Sequence, residues 1–133
     1  MLTLPSSVRV HLAAEPVDLR RGHDGLCAIV RSKWGLNPFD GHLFVFLGRR
    51  LDRVKILAWD RNGFVLYYKR LSKGHFRMPK IAAGTERVEM DATTLAMLLD
   101  GIDVRYVVRP AAWQPPASIS PAAVRQVAEV HGQ

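Results

Sequence analysis

Residues 42–71 read HLFVFLGRRLDRVKILAWDRNGFVLYYKRL, and the parsing of this stretch decides the fold. Three runs, His42 to Leu47, Arg53 to Asp60 and Phe64 to Leu71, are rich in β-branched and aromatic residues, which suit a pleated, half-buried surface. Gly48-Arg49-Arg50 separates the first two runs and Asn62-Gly63 the last two. Asn-Gly tolerates positive φ and is a strong hairpin signal. The stretch is therefore expected to form three antiparallel strands.

With Asn62 and Gly63 as the two turn residues, Arg61 would pair with Phe64, Trp59 with Leu66, Leu57 with Tyr68 and Lys55 with Arg70. One face then carries these side chains together with Arg53, aromatic near the turn and basic at the far end. The other face, with Val54, Ile56, Ala58, Val65, Tyr67 and Leu71, reads as core.

Outward from this stretch, Val8 to Leu12 alternates weakly and suggests a short strand. Pro16 and Asp18 signal a helix over 19–34, with Asp18 as its N-cap and Leu19, Leu26, Ile29, Val30 and Trp34 near one face. Gly22 and Gly25 would fit that helix if another backbone packs closely there. Gly35 would end it, and Asn37-Pro38 and Asp40-Gly41 are turn chemistry. Glu86 to Met90 reads as a strand. The run 91–99, DATTLAMLL, reads as a helix capped by Asp91, with Leu95, Leu98, Leu99 and Ile102 as its apolar stripe. A final strand is expected over Val104 to Val108. Residues 110–121 are rich in Pro, Ala and Ser, a linker composition. A short helix would follow Ser120-Pro121, with Val124, Val127 and Val130 on one side. The expectation is a single α+β domain over 1–110, an antiparallel sheet of at least three strands with the two main helices packed on it, followed by a tail over 111–133.

The chain has 133 residues, a lone cysteine (Cys27) and a formal charge of +7. It is long enough for one domain with a real core. No apolar run approaches the roughly 18 residues a membrane span needs, and the N-terminal segment lacks the pattern of a secretion signal. A single cysteine forms no intrachain disulfide and fits a reducing cytoplasm. The charge is concentrated. Between His42 and Lys80 lie ten lysines and arginines, Arg49, Arg50, Arg53, Lys55, Arg61, Lys69, Arg70, Lys73, Arg77 and Lys80, opposed only by Asp52 and Asp60. That surplus of eight exceeds the charge of the whole chain. A local excess of one sign attracts polyanions. All ten are candidate phosphate contacts, with Trp59, Tyr68 or Phe76 available to stack on bases and Arg20-Arg21 extending the surface. A solvated sheet face that merely aids solubility would carry the same charges.

Enzymatic chemistry finds little support. Asp60, Glu89 and Asp91 could be forced into a two-metal pattern, but Asp60 belongs to a hairpin turn and Asp91 to a helix cap. The five histidines show no ligand spacing, so no metal site is expected. Cys27, beside Leu26 and Ile29, reads as a small buried hydrophobe. No phosphate-binding glycine motif is present, and no helix-turn-helix or zinc finger, so base-specific reading is not expected. No catalytic residue and no cofactor is assigned.

Four stretches taken together look like a known family: DLRRGHDGL (18–26), NPFDGHLFVF (37–46), DRVKILAWD with NGF (52–60 and 62–64) and LAMLLDGID (95–103). In this order they resemble the TnpB-type, second-reading-frame proteins of insertion sequences of the IS sixty-six type. The resemblance runs from about Val8 to Asp103. It implies a bacterial, non-catalytic accessory protein of transposition that assists a separately encoded transposase, the acidic catalytic residues belonging to that larger protein. Joined to the basic sheet, it suggests binding to duplex DNA through the phosphate backbone with weak sequence preference, in the cytoplasm and on the nucleoid. The alternative is an adaptor that touches the transposase and no nucleic acid, with the tail stripe as its docking helix.

Overall fold

Three antiparallel strands do form across residues 42–71, inside a larger mixed sheet. The structure is a computed structural model that describes residues 7–101 and the backbone of 109–110. In chain order, strand β1 (Val10–Ala13) leads to helix α1 (His23–Ala28), which continues as a π-helical turn (Ile29–Lys33). Strands β2 (Leu43–Leu47), β3 (Arg53–Asp60) and β4 (Gly63–Arg70) follow, then β5 (Arg87–Met90), helix α2 (Ala92–Leu99) and the two-residue strand β6 (Arg109–Pro110). The order across the sheet is β4-β3-β2-β1-β5-β6. β1 and β2 pair in parallel and every other pair is antiparallel. The expected strand at 104–108, Ile102, the domain boundary at 110 and the tail helix lie outside the described residues.

Every residue of β2 is buried, which explains its unbroken apolar run LFVFL. Alternation sends Leu43, Val45 and Leu47 to one face, where they meet Val10, Leu12, Ile56 and α2's Leu95 and Leu98. It sends Phe44 and Phe46 to the other, where they meet Leu26, Val30 and Trp34 of the α1 layer. The two helices thus cover opposite faces of the sheet. A strand buried on both sides cannot show the polar alternation of a half-exposed one. Burying a Phe side chain fully stabilises by about 2–3 kcal/mol relative to leaving it exposed, so Phe44 and Phe46 anchor the α1 layer.

The first helix begins four residues later than its expected start. Asp18 does not cap it. Its Oδ1 accepts instead from the Arg20 backbone N–H at 3.0 Å, and Gly22 occupies the N-cap with no side-chain bond. The two glycines are not sites of close backbone approach. A Cβ at Gly22 would meet nothing within 4 Å, and one at Gly25 would meet only the Arg21 side chain, at 3.1 Å. The C-terminus matches expectation: Gly35 has φ +64, the left-handed conformation that glycine adopts without steric cost. So does the cap of α2, where Asp91 Oδ1 accepts from Thr94 N–H at 2.8 Å. That bond holds the Asp91 carboxyl below its ordinary pKa.

The hairpin register differs from the expected one by two residues. Trp59 faces Phe64, Leu57 faces Leu66, Lys55 faces Tyr68 and Arg53 faces Arg70. The turn residues are Arg61 and Asn62, while Gly63 belongs to β4 and pairs with Asp60. Arg61 takes φ 56, and Asn62 N–H donates to Asp60 O at 2.6 Å, so the reversal is a tight γ-type turn. A slip of two leaves every side chain on its expected face, because the strand period is two.

Candidate nucleic-acid interface

The β2–β3 connection shapes the basic site. Gly48 N–H donates to Arg53 O and Leu51 N–H to Gly48 O, both at 2.9 Å. Leu51 sits at φ 59, a conformation that costs a non-glycine residue roughly 1–2 kcal/mol. That cost is offset from the other face of the sheet. The Leu51 side chain joins the apolar cluster beneath α2, and its carbonyl accepts from Phe76 N–H at 2.6 Å. With Leu51 held inward, Arg49 and Arg50 stand exposed at the tip.

A second segment closes the other wall. Val17 N–H donates to Leu47 O at 2.9 Å, laying residues 17–20 beside the end of β2. A Cβ at Gly48 would lie 3.2 Å from Leu19 Cδ1, so glycine allows this close approach. Between the two walls is an open cleft of about 740 Å³, lined by Arg20, Arg49, Arg50, Arg53 and Lys55, by Asp18 and Asp52, and by Tyr68.

Not all of this charge is unopposed. Arg20 Nη2 lies 2.6 Å from Asp18 Oδ2, and this bonding holds the Asp18 carboxyl well below the usual carboxylate range. Asp18 is therefore ionised at any physiological pH and offsets Arg20. Arg53 Nε is 3.9 Å from Asp52 Oδ1, too far for a hydrogen bond. Lys55 Nζ donates to Arg21 O at 3.0 Å and lies 5.7 Å from the Tyr68 ring centroid. Tyr68 itself is 49% exposed.

The ten candidate cations do not share one surface. Arg49, Arg50, Arg53 and Lys55 line the cleft, and Arg70 is on the same face of the hairpin, opposite Arg53. Lys69 is opposite Val54, whose side chain is in the core beneath α2, so Lys69 points to the other face. Arg61 is at the far turn, about 27 Å along the strand from Arg53. Lys73, Arg77 and Lys80 are exposed on the segment following β4, which folds over the α2 face through buried Phe76.

The aromatic candidates divide in the same way. Phe76 is 1% exposed and cannot stack on a base. Trp59 packs edge-on against Phe39 and Phe64, at 4.9 and 5.0 Å. Tyr68 alone of the three lines the cleft. The sequence reading assigns Asp18 to a helix cap and Asp52 to an opposing charge, and places neither in the wall of the site. The Asp-x-Arg spacing at 18–20 is the available signal, since Asp commonly bonds its own backbone two residues on.

Among the described residues no group of three or more His, Cys, Asp or Glu is placed to hold a metal ion. Asp60 ends β3, Glu89 pairs with His11 in the sheet, and Asp91 caps α2. No helix among the described residues is long and apolar enough to cross a membrane.

Residues 8–109 match the family described as IS66 Orf2 like protein, TnpB_IS66. Two proteins of Sinorhizobium fredii (strain NBRC 101917 / NGR234) are similar. Uncharacterized protein y4jC is 36% identical over 102 residues, covering 77% of this chain and 86% of the relative. Uncharacterized protein y4hO is 38% identical over 106 residues, covering 80% and 90%. No solved structure matches. The chain belongs to the IS66 Orf2-like family, the accessory proteins of insertion-sequence transposition.

Proposed function

We propose that this accessory protein grips the phosphate backbone of DNA at the cleft between residues 17–20 and the β2–β3 turn, and in that way helps a separately encoded transposase act on the element. The observation that carries the reading is the convergence of Arg49, Arg50, Arg53 and Lys55 on one cleft beside an exposed tyrosine. Guanidinium and ammonium groups satisfy phosphate oxygens without reading sequence. The cleft is too small to admit a duplex, so a backbone strand would lie along its mouth. The protein performs no covalent step of its own on this reading, and the transposase supplies the chemistry.

Counterion release provides the test. Affinity for duplex DNA, followed by fluorescence anisotropy across a salt series, should fall steeply, with a slope of about 0.9 per phosphate neutralised. The combined change Arg49→Ala, Arg50→Ala and Lys55→Ala should flatten that slope by up to roughly 2.7. Binding indifferent to salt, or a slope untouched by the triple change, would overturn the proposal.

A further inference from the structure

β4 is an edge strand: β3 pairs with one side of it and no described strand pairs with the other. It is eight residues long, GFVLYYKR, with no proline or bulge, and the charges that usually blunt such an edge are confined to Lys69 and Arg70 at one end. Three large hydrophobic residues are exposed among the described residues, Phe39, Val65 and Tyr68, and two of the three belong to β4.

The direction of its unpaired backbone groups follows from one bond. Leu71 N–H donates to Asp52 O at 2.7 Å, so these two residues form a hydrogen-bonded pair across the hairpin. In an antiparallel ladder, bonded and non-bonded pairs alternate. Lys69, Tyr67 and Val65 therefore bond to β3, while Phe64, Leu66, Tyr68 and Arg70 aim their N–H and C=O groups outward.

We infer that β4 is a self-pairing edge, at which two copies of this chain join antiparallel about a two-fold axis through Leu66. In this register Leu66 faces Leu66 of the second copy, and Phe64 faces its Tyr68. Both pairings join residues whose backbone groups point outward, so each exchanges two main-chain bonds. On the α2 face, Val65 faces Tyr67 of the second copy. Aromatic against aromatic and aromatic against β-branched are favourable cross-strand pairs.

Charge rules out the registers in which the two basic ends meet. Lys69 and Arg70 stand at one end of β4, and like charges directly opposite are destabilising. Pairing about Leu66 sets them against Gly63 and Asn62 of the second copy, keeps the Lys69-Arg70 ends of the two copies about 27 Å apart, and leaves Arg61 of the second copy one position beyond Arg70. Sliding the axis to Tyr68 would set Arg70 against Leu66, and to Arg70 would bring two guanidinium groups face to face. The joined sheet would carry both basic clefts on one face, although the pairing itself requires no nucleic acid.

The full chain, free of DNA, should sediment as a dimer at about 100 μM, where a micromolar Kd is saturated. Amide exchange followed by NMR should show protection at Phe64, Leu66, Tyr68 and Arg70 as well as at the residues bonded to β3. Val65→Lys sets a charge beside Lys69 of the second copy and should weaken the dimer about tenfold or more, with an unchanged circular dichroism spectrum. Val65→Thr should keep the dimer. A monomer whose outward amides exchange freely would overturn the inference. So would a monomer whose outward amides are protected, since another part of the same chain would then cover β4. A dimer with those amides unprotected would place the contact elsewhere, with the same result. Each readout is independent of whether the chain binds DNA.

Discussion

The Trp34 indole lies flat over the Phe46 ring, with centroids 5.4 Å apart and planes 7° from parallel. Trp34 follows the π-helical turn and donates its backbone N–H to Ile29 O at 3.2 Å, so this contact ties the end of the helical layer to the centre of the sheet. It is 9% exposed, and its ring also stands 6.3 Å from Phe44. Trp34→Ala would leave a cavity between two layers that both remain in place. The expected cost is about 3 kcal/mol or more, read from the urea midpoint. Trp34→Phe keeps a ring on Phe46 and should cost markedly less.

His11 gives the fold a defined acid response. Its ring is stacked on Phe44 at 5.4 Å and buried. Burial is the largest influence on it and lowers its pKa below 6.5, while Glu89 pulls the other way and Arg87 assists the lowering. The geometry agrees: the Arg87 guanidinium lies 3.4 Å from His11 Nδ1, nearer than the Glu89 carboxylate at 3.9 Å. Well above pH 6.5 the ring is neutral whether the chain is folded or not. As pH falls below 6.5 the unfolded chain takes up the proton first, and stability drops until the folded value is reached. His11→Phe should remove this part of the pH dependence and leave stability near pH 7.5 little altered. Urea midpoints at a few pH values between 5 and 7.5 test the point.

The γ-type turn at Arg61 predicts a substitution with two separate readouts. A non-glycine residue at φ 56 is strained, and Arg61→Gly should raise stability by about 1 kcal/mol. The same change removes one of the candidate phosphate contacts. Because Arg61 stands about 20 Å along the strand from Lys55, the nearest cation of the cleft, affinity for DNA should change by less than twofold, whereas Arg49→Ala or Arg50→Ala should reduce it several-fold.

Face membership was legible in residues 42–71 although the register was not. Turn type fixes which residues oppose one another, and Asn62-Gly63 suggested a different turn from the one Arg61 adopts. Side-chain direction depends only on parity, so Arg53, Lys55, Trp59, Tyr68 and Arg70 stayed on the expected face. The same parity puts Lys69 on the opposite face, a distinction that a count of charges passes over. The parallel pairing of β1 with β2 had no local signal, because it joins Val10 to Leu43 across an intervening helix. Phe76 looked available because its neighbours are basic and loop-like, yet one buried aromatic is what pins that segment to the sheet. The left-handed Leu51, which sets the direction of Arg49 and Arg50, follows from packing on the far face and leaves no trace in a hydropathy pattern.

Asp18 and Asp52 give the cleft its own internal counter-ions. Of five cations along its walls, two already have a carboxylate alongside, so the empty protein is not left with bare, mutually repelling guanidinium groups. An incoming polyanion would gain only the uncompensated remainder, and its phosphates would meet the negative charges of Asp18 and Asp52 in the walls. If the cleft takes a strand as proposed, such a holder would favour brief tenancy over permanent occupation, as suits a helper that passes its strand on.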